Sequence, residues 1–154
     1  MNRILQGLLA GPDPIGNAPT IQLAREVAIE LIERRADAVA DAITEQLSAR
    51  KLAEYDRAAK QAEALLAEAD PDNPAGTYGA LSADVAAGTI DPRDGQPVAT
   101  LKQAAEVIML TRAPWEAALD AQRQARLTAK NAVRAAASAE EVEQILAGIT
   151  WPAV

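Results

Sequence analysis

The 154-residue chain contains neither cysteine nor histidine, and its formal net charge at pH 7 is -7. Without thiolate or imidazole groups it can form no disulfide, no Cys/His zinc site and no Ser-His or Cys-His nucleophile pair. The acidic balance argues against nucleic acid and anionic membranes as partners, because both bind through an excess of Lys and Arg. The length suits one domain, but 37 alanines and no phenylalanine make a thin core that requires closely packed helices.

The first nineteen residues are predicted to form an apolar leader followed by a linker. The leader is too short to cross a bilayer, and its apolar residues have the spacing of one face of a short helix. They are Ile4, Leu5, Leu8 and Leu9. Residues 11–19 hold three prolines and two glycines, which predicts a linker that uncouples the leader from the rest of the chain. The leader then either docks on another subunit or folds back onto its own helices.

Residues 20–69 are predicted to form one continuous helix. Thr20 can cap its start, and no Gly or Pro occurs from Ile21 to Ala69. Apolar residues recur at spacings of three and four, which indicates a seam for bundle packing that shifts between Leu47 and Leu52. A long isolated helix would expose this seam, so its larger residues are predicted partner contacts. They are Ile32, Val39, Ile43 and Leu47.

Residues 70–99 are predicted to form a long loop, because they contain four prolines and four glycines. A short helix over residues 82–87, capped by Ser82, is the only regular element expected there. Asp94-Gly95 suits a turn with positive φ. Asp91 and Asp94 could be drawn as an acid–base pair, but a polar loop offers no cleft around them. We therefore expect no catalytic residue, no metal site and no cofactor.

Two more helices follow. Thr100 with Gln103 forms a capping-box pattern that opens a helix over residues 100–137, and Pro114 predicts a kink or a break near Thr111 and Arg112. A second capping box, Ser138 with Glu141, opens a short helix over residues 139–147 that Gly148 ends. The fold class expected is all-α, a long antiparallel helical hairpin or coiled-coil-like bundle with a short C-terminal helix and an apolar N-terminal leader.

The charge pattern suggests a register for this hairpin. If residue 69 faces residue 100, Trp115 packs beside Leu52 and Tyr55, and four basic residues run alongside four acidic ones. These are Arg123, Arg126, Lys130 and Arg134 alongside Glu45, Asp41, Asp37 and Glu33, respectively. The alternative is that both charged stripes are solvated helix faces with a common period.

Several features occur together from residue 52 to the C-terminus. They are Tyr55 in an Ala/Glu-rich helix, a Pro/Gly-rich interruption, Thr100-x-x-x-Ala-Ala-Glu-x-Ile108, Trp115, Arg126-Leu-x-x-Lys130 and a closing Trp151-Pro152. In these features the chain resembles small helical proteins and tail-fibre-associated regions of tailed bacteriophages. The resemblance implies a virion tail, baseplate or fibre component, or a factor that assembles one, and it carries over no functional residue.

The sequence thus predicts a non-enzymatic protein, and the resemblance implies that it is a structural protein of a phage virion, assembled in the host cytoplasm. Its expected partners are other protein subunits, either copies of itself or a larger virion assembly, and not nucleic acid, membrane or a small-molecule substrate. A tail-assembly chaperone that is not retained in the virion is one alternative. A bacterial coiled-coil adaptor or regulator is the other.

Overall fold

A computed structural model describes residues 2–45 and 47–153 of the chain, which leaves Met1, Gln46 and Val154 outside the description. These residues form six α-helices and no β-strand, so the predicted all-α class is confirmed. None of the described helices is long and apolar enough to span a membrane. The helices are α1 (Arg3–Leu9), α2 (Ile21–Ile43), α3 (Ala49–Leu66), α4 (Gly79–Ala87), α5 (Leu101–Ala135) and α6 (Ala139–Ala147).

The chain divides into two compact units. The first unit combines the residues up to 45 with those from 118 onward, and the second unit consists of the residues between them. The first unit therefore contains α1, α2, α6 and the end of α5, whereas the second contains α3, α4 and the beginning of α5.

The prediction of a single helix over residues 20–69 is wrong. Thr20 caps α2 as predicted, by accepting a hydrogen bond from the Leu23 amide, but α2 ends at Ile43 and Glu45 takes a left-handed φ of 53°. A new helix then begins, because the Ser48 hydroxyl accepts a hydrogen bond from the Lys51 amide. A stretch of chain without Gly or Pro permits a long helix but does not require one, because the packing of an apolar face supplies most of the stability of a helix. Here α2 and α3 pack into different cores.

The core of the first unit lies between α2, the end of α5 and α6. Its largest fully buried side chains are Val27 and Ile32 from α2, Val133 from α5 and Val142 from α6. Buried alanines of α2, of α5 and of the residue directly after α5 fill the space between them, which allows the helices to approach closely. They are Ala24, Ala28, Ala129 and Ala136.

The N-terminal leader folds back onto this core, which is the second of the two alternatives that the sequence left open. Asn2 caps α1 by accepting from the Ile4 amide, and Leu5, Leu8 and Leu9 pack against the core of the first unit. The expected uncoupling by the linker is wrong, because Ile15 within the linker is itself a buried member of that core. The Pro/Gly composition prevents regular structure but does not prevent burial.

The core of the second unit joins α3, α4 and the first turns of α5. Leu65 and Leu81 are fully buried there, and Ala62, Ala104 and Ala105 pack around them. The predicted short helix exists but begins at Gly79, and Ser82 is not its cap, because the Ser82 hydroxyl donates to the Tyr78 carbonyl one turn earlier. Gly95 has a φ of +72°, as predicted for the Asp94-Gly95 turn.

The capping predictions for α5 and α6 are confirmed. The Thr100 hydroxyl accepts from the Gln103 amide while Gln103 Oε1 accepts from the amides of Ala99 and Thr100. Ser138 accepts from the Glu141 amide, and Gly148 ends α6. A break at Pro114 is wrong, since α5 includes this residue and continues to Ala135. A proline removes a single helical N–H donor, and a long helix with packed faces tolerates that loss.

The predicted contact between Trp115 and Tyr55 is present in the second unit, whereas the predicted register is wrong in the first. The rings of Tyr55 and Trp115 lie 5.9 Å apart, and Arg112 Nη2 donates to Asp56 at 3.0 Å. In the first unit both Arg126 and Lys130 pair with Glu33, whereas a symmetric hairpin places Lys130 beside Asp37. The interruption between Ile43 and Ala49 explains the difference, because the register was counted along one unbroken helix.

Candidate interaction surface

Most of the predicted partner-contact residues are used inside the chain. Ile32, Val39 and Ile43 are buried, and Leu47 is half-buried. Of the four predicted contact residues in the leader, only Ile4 is largely exposed, at 58% of its surface. The part of the α2 stripe that contains Ile32 is therefore covered within the chain, by α5 and α6.

Polar contacts fix the orientation of α5 on α2 within the first unit. Gln122, which is buried, donates from Nε2 to the Ala36 carbonyl at 2.9 Å. Further along, the Arg25 guanidinium donates to the Ala136 carbonyl at 2.6 and 3.1 Å. The hydrogen bond from Lys130 holds the pKa of Glu33 below its usual value, with a smaller contribution from Arg126. These bonds determine which face of α5 meets α2 and which face remains at the surface.

A groove of about 550 Å³ runs along the surface face of α5 in the first unit. One wall consists of small residues of α5 at spacings of four, three and four, which places them on one helix face. They are Ala121, Ala125, Thr128 and Ala132. The other wall is the end of α6 and the segment after it, including Ile145 and Ile149.

Gly148, which ends α6, also lines this groove and contributes no side chain to its wall. Among the described residues, the side chains that line the groove carry no charge. Backbone of another chain can therefore approach closely without leaving an ion unsolvated.

A flank of α5 beside the groove has a regular pattern of its own. Asp120, Leu127 and Arg134 are spaced by seven residues, so they lie in a row along the helix. All three are exposed, and Leu127 leaves 40% of its surface to solvent. An acidic residue and a basic residue thus lie on opposite sides of Leu127 along the helix. The heptad spacing of these residues is visible in the sequence, but their exposure was needed to single them out.

Carboxylates in the second unit form ion pairs that hold a loop in place at Asp91 and join α3 to α5 at Asp56. The Asp91 carboxylate accepts from the backbone and guanidinium of Arg93, and these hydrogen bonds lower its pKa. The pKa of Asp56 is likewise lowered, by hydrogen bonds from Lys60 and then from Arg112, although Asp56 lines an open cleft of about 420 Å³. Carboxyl groups with lowered pKa values stay ionised near neutral pH, which makes them poor general acids.

Glu68 fastens the loop that follows α3. Its carboxylate accepts hydrogen bonds from the amides of Ala75 and Gly76, at 2.7 and 3.0 Å, and from the hydroxyl of Tyr78. The hydrogen bond from Tyr78 is the largest cause that lowers the pKa of Glu68, and it raises the pKa of Tyr78 in turn. The loop at residues 70–76 is thus held as a turn by the Glu68 carboxylate.

The lowered pKa of Glu68 predicts a loss of loop order in acid. Because the folded pKa lies below the usual 4.5, this contribution to stability is present above pH 4.5 and disappears as the pH falls through the folded value. Nuclear magnetic resonance should show the Ala75 and Gly76 amide shifts titrating together with a midpoint below 4.5. In a Glu68→Gln variant this titration should vanish, and a wild-type midpoint at or above 4.5 would contradict the assignment.

No protein-family model, curated protein or solved structure shows a significant match to this chain. The class of protein is therefore defined by its fold and surface alone, as an all-helical chain with an uncharged groove on its first unit.

Proposed function

We propose that the chain is a non-enzymatic structural protein that acts through helical protein–protein contacts. The observation that carries this proposal is the groove on α5, an open concave surface with small, uncharged walls beside exposed Leu127. Such a surface suits a helix or an extended segment of another protein, because small side chains let two backbones come close. The lowered pKa values of Glu68 and Asp91 also support the proposal, because both carboxylates form hydrogen bonds that hold loops in place.

We further propose that α5 pairs with another helix in a coiled-coil-like, antiparallel arrangement within each unit. In the first unit, Ala36 of α2 meets Gln122 and Arg25 meets Ala136, so residue numbers rise along one helix as they fall along the other. In the second unit, Asp56 of α3 meets Arg112, and Ala62 and Leu65 share a core with Ala104 and Ala105. The leader, which packs against the core formed by α2, α5 and α6, is part of the same arrangement in the first unit.

The biological setting that we propose is the tail, baseplate or tail fibre of a bacteriophage, on the strength of the sequence features from Leu52 to Pro152. The alternatives are an assembly chaperone absent from the finished particle and a bacterial adaptor. Quantitative mass spectrometry of purified particles from a phage that encodes the chain separates them. A structural protein should be present in fixed proportion to the other tail proteins, whereas a chaperone should appear only in assembly intermediates. Absence from both would refute the phage proposal altogether.

The groove gives this proposal a test at the level of single residues. Filling the groove with an Ala125→Trp substitution should prevent incorporation into particles, because a bulky ring would occupy the space of the partner. A Gln144→Trp substitution on the exposed face of α6 is the matched control and should leave incorporation unchanged. Normal incorporation of the Ala125→Trp variant would show that the groove is not the contact surface.

A further inference from the structure

We infer that the flank of α5 beside the groove binds a second copy of this chain, in an antiparallel, two-fold symmetric pair of α5 helices. The inference deepens the proposed function, on which it rests, by naming one partner and one contact surface. It starts from the row of Asp120, Leu127 and Arg134 on the flank of α5. In this row, Leu127 lies midway between the two charged residues.

The charge pattern selects both the partner and the direction. A two-fold axis perpendicular to α5 beside Leu127 turns the row onto itself in the opposite direction. Asp120 of each copy then lies opposite Arg134 of the other, and the two Leu127 side chains meet. A parallel pair would place Asp120 beside Asp120 and Arg134 beside Arg134, and like charges in contact are unfavourable. A row that is complementary to its own reverse fits a second copy of the same helix.

The size of the contact indicates a weak dimer. The row from Asp120 to Arg134 extends over about 21 Å of helix, which is short for an interface that must form alone. The net charge of -7 on each copy adds a repulsion that salt reduces. Association is therefore expected at high protein concentration, or where a larger assembly brings copies together.

Charge reversal tests the pairing. Sedimentation equilibrium of the full chain should show a concentration-dependent monomer and dimer. Asp120→Arg or Arg134→Asp alone should raise the dissociation constant about tenfold or more, because each creates two like-charge contacts. The double variant Asp120→Arg/Arg134→Asp should return it to within about threefold of the wild-type value. A monomeric wild type at millimolar concentration, or a double variant no better than the singles, would overturn the inference.

Cross-linking provides a second test that does not depend on the charges. Because the chain has no cysteine, a single introduced thiol can bond only to its counterpart in another copy. Under oxidation, Leu127→Cys should form a disulfide-linked dimer. Leu110→Cys should not, although Leu110 is on the same helix and similarly exposed, because the two counterparts would lie about 50 Å apart along the pair. Equal cross-linking of both variants, or none from Leu127→Cys, counts against the dimer.

The two proposals can fail separately. If the Asp120→Arg variant stays monomeric in solution but enters particles normally, the second copy is not the partner and the structural role stands. If the dimer forms as described but the chain is absent from particles, the surface is correct and the proposed setting is wrong.

Discussion

Replacing Ile32 by alanine should lower the free energy of unfolding of the first unit by about 2 to 5 kcal/mol. Ile32 is 1% exposed at the centre of the core formed by α2, α5 and α6. Its loss leaves a cavity that neighbouring side chains cannot fill without moving, and the buried alanines around it have no side-chain freedom to do so. Urea denaturation followed by circular dichroism should record the change, and hydrogen exchange should locate it in α2.

Ile4 is the matched control, since it is the same residue type and was an equally strong candidate for partner contact from the sequence. It is 58% exposed, so Ile4→Ala should change stability by no more than about 0.5 kcal/mol. The comparison also separates two roles of Ile32. If its contact were with a partner, Ile32→Ala would weaken self-association and leave the stability of the single chain unchanged, contrary to the buried position.

The second large effect is expected at Leu65 of α3. This side chain is fully buried between α3, α4 and the start of α5, and Leu65→Ala should destabilise the second unit by about 2 to 5 kcal/mol. Hydrogen exchange at the amides of α3 and α4 should accelerate. The amides of Ala80 and Gly88 are useful reporters, because they bond to Gln61 and Val85 within this unit.

Leu52 on the same helix is the control, because 36% of its surface is exposed. Leu52→Ala should cost less than half as much as Leu65→Ala, since most of the energy of a leucine truncation comes from burial and the cavity left behind. Similar losses at the two positions would mean that the core of the second unit is not centred on Leu65.

Local interactions were readable from the sequence because they depend on a few neighbouring residues. Thr20, Ser48, Thr100 and Ser138 all accept a hydrogen bond from an amide three positions later. Thr20, Thr100 and Ser138 were predicted as caps. Ser48 was not, because the absence of Gly and Pro around it favoured one long helix. Likewise, Asp94-Gly95 predicted its positive φ because the preference is a property of the residues themselves.

What depends on distant residues was decided by the tertiary structure. The stripe of Ile32, Val39 and Ile43 has the same spacing whether it faces another subunit or its own chain, so periodicity alone could not distinguish an interface from a core. The same is true of Leu5, Leu8 and Leu9, which pack against that core. The register of α5 on α2 depended on the end of α2 at Ile43 and the start of a new helix at Ala49, and a shift of this kind moves every later pairing.

The sequence by itself determined the all-α class, the ends of the later helices and the chemistry excluded by the missing Cys and His, because composition and capping act locally. Only the tertiary structure decided which apolar residues are covered and which face of α5 remains open. Which apolar side chains are buried depends on how all the helices pack together. The residue type of one side chain does not show whether it is buried or exposed.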